Sequence, residues 1–150
     1  APISPSLMVS SISSMKKAAN SHPMSEPFLL FVYGQLQRGR IGHRRLSLQS
    51  KTRSLGKARV AGKLHDLGDY PGLIPGGRGV VHGELLAFTD DRLWRHLDVY
   101  ELCDPARPSI CEYERIEVDL LGTGLRGWTY VYRRPVRNRR VIASGRWMKR

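Results

Sequence analysis

Phe28-Leu-Leu-Phe-Val-Tyr-Gly-Gln-Leu36 is the stretch on which the fold turns. Phe28 to Val32 is an unbroken run of apolar β-formers that stops at a Tyr-Gly pair. A run of that length predicts a strand covered on both faces rather than on one. Gly34, Gly39 and Gly42 follow at once, so the next segment is a loop shaped by backbone, and His43 to Leu48 reads as a short helix. A Gly-bearing turn at the end of a buried strand presents amide N–H groups in a fixed arrangement that can hold a carboxylate or an oxyanion. Tyr33, Gly34, Gln35 and Leu36 are therefore candidate binding residues. Strand ends of this kind are common, so the loop gains weight only with a chemical partner.

Downstream, Ser54 to Leu64 reads as a strand interrupted by Gly56 and Gly62. Asp66 to Gly77 is dense in turn formers, and Val80 to Phe88 resumes strand character. Thr89-Asp90-Asp91 offers an N-cap and first-turn acids for a helix starting near Arg92. Leu93, Trp94, Leu97, Tyr100 and Glu101 share one face of that helix, leaving Arg92, Arg95 and Asp98 toward its flanks or outside. Tyr113 to Leu121 alternates and predicts a strand with one buried face. Gly122-Thr-Gly124 turns it into a partner strand over Arg126 to Arg133. In the tail from Pro135, only Val141 to Trp147 has the composition to pack. Strands outnumber helices and several connections look antiparallel. The expectation is an α+β domain with a mixed, curled sheet, one main helix and a short one. Its boundaries are 28–150, preceded by a flexible leader over residues 1–27 that is rich in Ser, Ala and Pro. The leader carries only Lys16 and Lys17 as bases up to residue 27 and no arginine, unlike a transit peptide.

A net charge of +12 raises the question of a nucleic-acid partner. Residues 37–63 hold nine Lys or Arg and no acid, residues 133–150 hold eight and no acid, and the rest is acidic on balance. The excess is thus confined to two segments, read first as a solvated basic surface and second as an anion-attracting face. No helix-turn-helix or aromatic-plus-basic RNA motif accompanies it, so a nucleic-acid role is disfavoured. No stretch approaches the roughly 20 apolar residues of a membrane span. Cys103 and Cys111 suit either a local disulfide or free thiols; with no secretory signal, thiols and a cytoplasmic location are expected. His22, His43, His65, His82 and His96 lack ligand-like spacing and no C-x-x-C occurs, so no metal site is expected.

Glu101 is the sharpest chemical candidate. A carboxylate on the apolar side of a helix has its pKa raised by desolvation, as a proton shuttle near neutral pH requires. If the helix instead ends at Tyr100, Glu101 simply points to water. Tyr70 sits in a Tyr-Pro-Gly turn, while Tyr113, Tyr130 and Tyr132 lie on the hairpin, where tyrosines mostly pack. Neither a nucleophilic triad, a P-loop nor a dinucleotide fingerprint is present.

Taken in order, the motifs resemble the γ-glutamylcyclotransferase-like family, in particular its branch of γ-glutamylamine cyclotransferases and plant avirulence-induced proteins. Phe31-Val-Tyr-Gly-Gln-Leu-Gln-Arg-Gly39 resembles its Tyr-Gly-Thr/Ser-Leu strand and turn, and Gly42-His43 with Leu46 its Asn-His-x-x-Leu. Leu64 through Tyr70-Pro-Gly72, Val81-x-Gly-Glu-Leu85, Leu97-Asp-x-Tyr-Glu101 and Tyr113-x-Arg115 follow in register, then Trp128-x-Tyr130-x-Tyr132 and Ser144-Gly-x-Trp147. The resemblance covers about Phe28 to Trp147. Gln35 departs from the usual Thr or Ser, and Leu102-Cys103 stands where the family often has Gly.

The resemblance implies a small α+β domain whose curled, barrel-like sheet surrounds a cavity. It also implies a cofactor- and metal-independent enzyme that cyclises a small γ-glutamyl amine or amide to 5-oxoproline and a free amine. Glu101 would be the general acid/base, and Tyr33, Gly34, Gln35 and Leu36 would bind the γ-glutamyl group, with Tyr70, Tyr113 and Tyr130 around it. A non-catalytic module holding an anionic ligand in the same cavity is the alternative, and a basic nucleic-acid-associated protein a more distant one.

Overall fold

The structure, a computed structural model, describes residues 26–102, 106 and 112–148. Cys103, Cys111 and the leader before residue 26 lie outside the described residues. In chain order the elements are β1 (Phe28–Val32), α1 (Ile41–Arg45), α2 (Leu48–Lys51), β2 (Arg53–Asp66), β3 (Pro71–Phe88), α3 (Leu93–Tyr100), β4 (Tyr113–Leu120) and β5 (Leu125–Tyr132). The strands form one sheet in the order β2-β3-β1-β5-β4. It is mixed, because β1 runs antiparallel to β3 but parallel to β5. The fold is α+β, with two short helices beside the main one.

The apolar run that opens the domain is the central strand, and both of its faces are covered as its composition requires. Phe31 and Tyr33 pack with Leu55, Val60, Leu64, Leu73, Val81, Leu85 and Trp147 on one side. Leu30 and Val32 pack with Leu48, Leu86, Leu93, Leu97, Tyr113 and Tyr130 on the other. Beyond the hairpin the sheet curls back on itself, and the Leu121 N–H donates to the Arg59 carbonyl at 2.9 Å. The tail packs along the same side: the Ile142 N–H meets the Leu64 carbonyl at 2.7 Å, and Trp147 is buried.

Several expectations need correction. The stretch from Pro71 to Gly79 is not all turn but the first half of an 18-residue strand. Pro71 starts that strand, and Pro75 sits where the register jumps from Ala61↔Val80 to Gly62↔Pro75, positions at which a ladder tolerates proline. Only residues 67–70 form the turn proper. Helix α3 starts at Leu93 without a side-chain cap. Asp90 instead binds the Arg92 N–H at 3.0 Å and its guanidinium at 2.8 Å.

Asp98 does not point outward. It is buried, because β4 and β5 place partners over it (see below). Strand β4 is likewise covered on both faces at its start, where Tyr113 is buried against the helix side of the sheet. Among the described residues no helix is long and apolar enough to cross a membrane.

Candidate active site

At the end of β1 lies a cavity of about 470 Å³. All eight residues singled out from the sequence line it: Tyr33, Gly34, Gln35, Leu36, Tyr70, Glu101, Tyr113 and Tyr130. The strand-end loop and the helix-end carboxylate therefore face one space. Such a volume suits a small molecule.

The loop is held from behind by its carbonyls. The Gly34 carbonyl accepts the Gln37 N–H at 3.2 Å, and the Gln35 carbonyl accepts the His43 N–H at 3.0 Å. His43 Nδ1 lies 2.9 Å from the Leu36 carbonyl, an acceptor, so this ring nitrogen carries the proton. Among the described residues the amide N–H groups of Gly34, Gln35 and Leu36 have no protein acceptor. The result is three consecutive donors left for a ligand, with every carbonyl satisfied elsewhere. Glycine is required at two points in this packing. A Cβ on Gly34 would lie 2.8 Å from the Pro71 ring, and one on Gly42 would lie 2.5 Å from the Tyr100 hydroxyl. The second contact seats α1 directly on the end of α3.

Glu101 caps that helix end, its N–H bonded to the Leu97 carbonyl at 3.0 Å. The chain then reverses through Leu102 at φ +55°, the left-handed position that usually takes glycine after a helix. Leucine there retains the turn at a conformational cost, and the side chain is left exposed on the cavity rim. The Glu101 carboxylate itself is half-buried and makes no hydrogen bond or ion pair among the described residues. Burial, and secondarily the negative charge of Glu112, push its pKa up to about 8. An acid partly withdrawn from water without a partner is costly to a fold and useful to a proton transfer near neutral pH.

The tyrosines contribute walls rather than free hydroxyls. Tyr33 donates to the Tyr130 carbonyl at 2.5 Å and accepts the Leu73 N–H at 3.3 Å. Tyr113 donates to the Pro71 carbonyl at 2.8 Å, and Tyr130 to Asp98 Oδ1 at 2.6 Å. Burial raises the pKa of all three, so they stay neutral. Tyr70 donates to Glu112 Oε1 at 2.8 Å, which, with lesser effects, pushes its pKa up to about 12. Gln35 gives its side-chain N–H to the Asp69 carbonyl at 3.0 Å, while its Oε1 is buried without a partner.

Sequence reading missed Arg45, Asp69, Tyr100 and Glu112, which also line the cavity. Tyr100 and Glu112 are immediate neighbours of Glu101 and Tyr113, which was a usable signal. Arg45 ends α1 and Asp69 lies in the turn before β3, and no periodicity encodes which space either of them reaches.

A curled mixed sheet whose central strand ends in a donor loop, opposite an unpaired carboxylate, defines a class of compact small-molecule site. The chain belongs to the γ-glutamyl cyclotransferase, AIG2-like family, whose model matches residues 30–149. It is 36% identical over 129 residues to the Gamma-glutamylcyclotransferase family protein YtfP of Escherichia coli K12, covering 81% of this chain and 96% of that one. The solution structure of Escherichia coli ytfP superposes with a TM-score of 0.58 at 31% identity, covering 81% of this chain and 96% of that one. A crystal structure of an AIG2-like protein from Mus musculus superposes with a TM-score of 0.56 at 25% identity, covering 70% and 76%.

Proposed function

We propose that the protein is a γ-glutamyl cyclotransferase that releases 5-oxoproline and a free amine from a small γ-glutamyl amine or amide. The observation that carries this reading is the Glu101 carboxylate, unpaired among the described residues, sharing one cavity with the Gly34, Gln35 and Leu36 amides that no described residue accepts from. Membership of the family supplies the substrate class.

The substrate enters as an α-ammonium with an α-carboxylate. Arg45 is the one cation among the described lining residues and offers the carboxylate an opposite charge. Glu101, deprotonated, takes a proton from the α-ammonium. The freed amine attacks the γ-carbonyl carbon of the same molecule, forming the ring C–N bond and placing charge on the carbonyl oxygen. Loop amides stabilise that oxyanion. Collapse breaks the bond to the leaving nitrogen. Two protons leave the α-nitrogen and two reach the leaving nitrogen, carried one at a time by Glu101, so the amine departs as an ammonium and 5-oxoproline remains. Ring closure is already intramolecular, and the site needs only to hold a near-attack conformer and move protons.

The test is a panel of γ-glutamyl amines, dipeptides and glutathione, assayed for 5-oxoproline by chromatography. Release from at least one compound in proportion to enzyme is expected. A panel without any product above the uncatalysed rate overturns the reading.

A further inference from the structure

A second cavity, of about 630 Å³, lies on β2 and β3 and shares no lining residue with the first. The β4–β5 turn walls it through Leu121 and Thr123, and the tail walls it through Arg146 and Trp147. Its charge is one-sided: Arg38, Lys57, Arg59 and Arg146 line it together with His82 and a single acid, Glu84.

That acid is already engaged. Glu84 Oε1 accepts the Arg38 N–H at 2.8 Å, Oε2 accepts the Ser54 hydroxyl at 2.5 Å, and Arg38 Nε stands 3.7 Å away. Among the described residues Lys57, Arg59 and Arg146 have no ion pair. Arg59 faces His82 directly across the β2–β3 ladder, and Lys57 lies on the same face two residues earlier. Burial, then the charges of Arg146 and Arg59, lower the His82 pKa, so the cations crowd one point from two segments. Across the ladder Lys57 stands opposite the engaged Glu84 and Arg59 opposite His82, so the positive charge of Arg59 and Arg146 is left without an ion pair among the described residues, and an anion in the hollow would offset it. A concave wall focuses their field, and arginine forks match phosphate oxygens bidentately.

We infer that this groove is a binding site for a small oligophosphate, a compact ligand carrying a chain of phosphate groups whose charge offsets Lys57, Arg59 and Arg146. The volume is in the range of small-molecule sites, and the cations converge on a hollow rather than forming a track, which favours a compact ligand over a nucleic-acid strand. The site does not depend on the cyclotransferase reading.

The experiment is calorimetric titration of the full chain with inorganic triphosphate at about 0.15 M salt, where exposed charges beyond about 8 Å are screened. One saturable site is expected. Arg59→Ala and Arg146→Ala, both at exposed positions, each weaken it about tenfold. Arg137→Ala removes the same charge from an exposed position outside the groove and changes it less than about twofold. Absence of saturable binding, or an equal loss in Arg137→Ala, overturns the site. A parallel titration with single-stranded oligothymidylate is expected to be weaker than triphosphate. Tighter binding of the oligonucleotide overturns the compact ligand in favour of a strand.

Discussion

Asp98 and Glu101 lie three residues apart at one end of α3, and the molecule treats them oppositely. Asp98 is buried, accepts the Tyr130 hydroxyl at 2.6 Å, and stands 3.7 Å from an Arg115 guanidinium nitrogen. Arg115 itself lies against two rings, 4.3 Å from the Trp94 centroid and 5.8 Å from that of Trp128. Glu101 has none of this: it opens on the cavity, unpaired among the described residues, with another acid nearby. One carboxylate fastens the helix to the sheet, and the other is held ready by that fastening. The difference teaches that the helix end is anchored so that an acid without a counter-charge can be kept in place.

Exchanging the amide for the acid at each position separates the roles. Glu101→Gln is expected to lower kcat for 5-oxoproline release by about 10²–10⁴ while the protein stays folded. Retained turnover would assign proton transfer elsewhere. Asp98→Asn weakens the bond from Tyr130 and leaves Arg115 without its counter-charge, costing on the order of 1–3 kcal/mol in denaturant unfolding. A smaller loss of activity follows as the helix end loosens. An Asp98→Asn protein as stable as wild type would remove the anchor from the account.

Stability should also respond to pH through Glu101. Its folded pKa of about 8 lies above the unfolded value of 4.5, so the folded state holds the extra proton between those limits. Its favourable contribution is present below about 4.5 and is lost as pH rises through 8. Glu101→Gln is therefore expected to be more stable than wild type at pH 8.5, on the order of 1–3 kcal/mol after allowing for partial solvation, with the gap closing near pH 4. A gap independent of pH would contradict the raised pKa. Smallest is the rim: Leu102→Gly relieves the left-handed strain and should raise the unfolding free energy by about 0.5–1 kcal/mol, against a loss if Leu102 were packed instead.

Local pattern carried the elements whose environment is set by their own sequence. β1, the β4–β5 hairpin and α3 are legible because each buries the face its periodicity declares. The first half of β3 is illegible for the opposite reason. Gly and Pro there are tolerated because the pairing with β2 steps from Ala61↔Val80 to Gly62↔Pro75, so that β3 extrudes residues 76–79, and no local rule contains that partner. Asp98 fails likewise, since its burial depends on Tyr130 and Arg115 from the hairpin. The eight candidate site residues were legible through ordered motifs, whereas Arg45 and Asp69 depend on how α1 and the 67–70 turn close over the cavity. Leu102 was visible as a departure from the family pattern. Its left-handed backbone explains why glycine suits that position.

The proton-transfer role of Glu101 is tested most directly by the acid limb of the pH profile of kcat/KM, in wild type and in Glu112→Gln. In wild type, the rate constant for 5-oxoproline release should rise about tenfold per pH unit at low pH and level near pH 8, as the free enzyme's Glu101 ionises. Removing the Glu112 charge should move that limb toward acid, because this charge helps to raise the Glu101 pKa. A limb that stays in place in Glu112→Gln, or one centred near 4.5, would contradict a buried, Glu112-coupled proton shuttle.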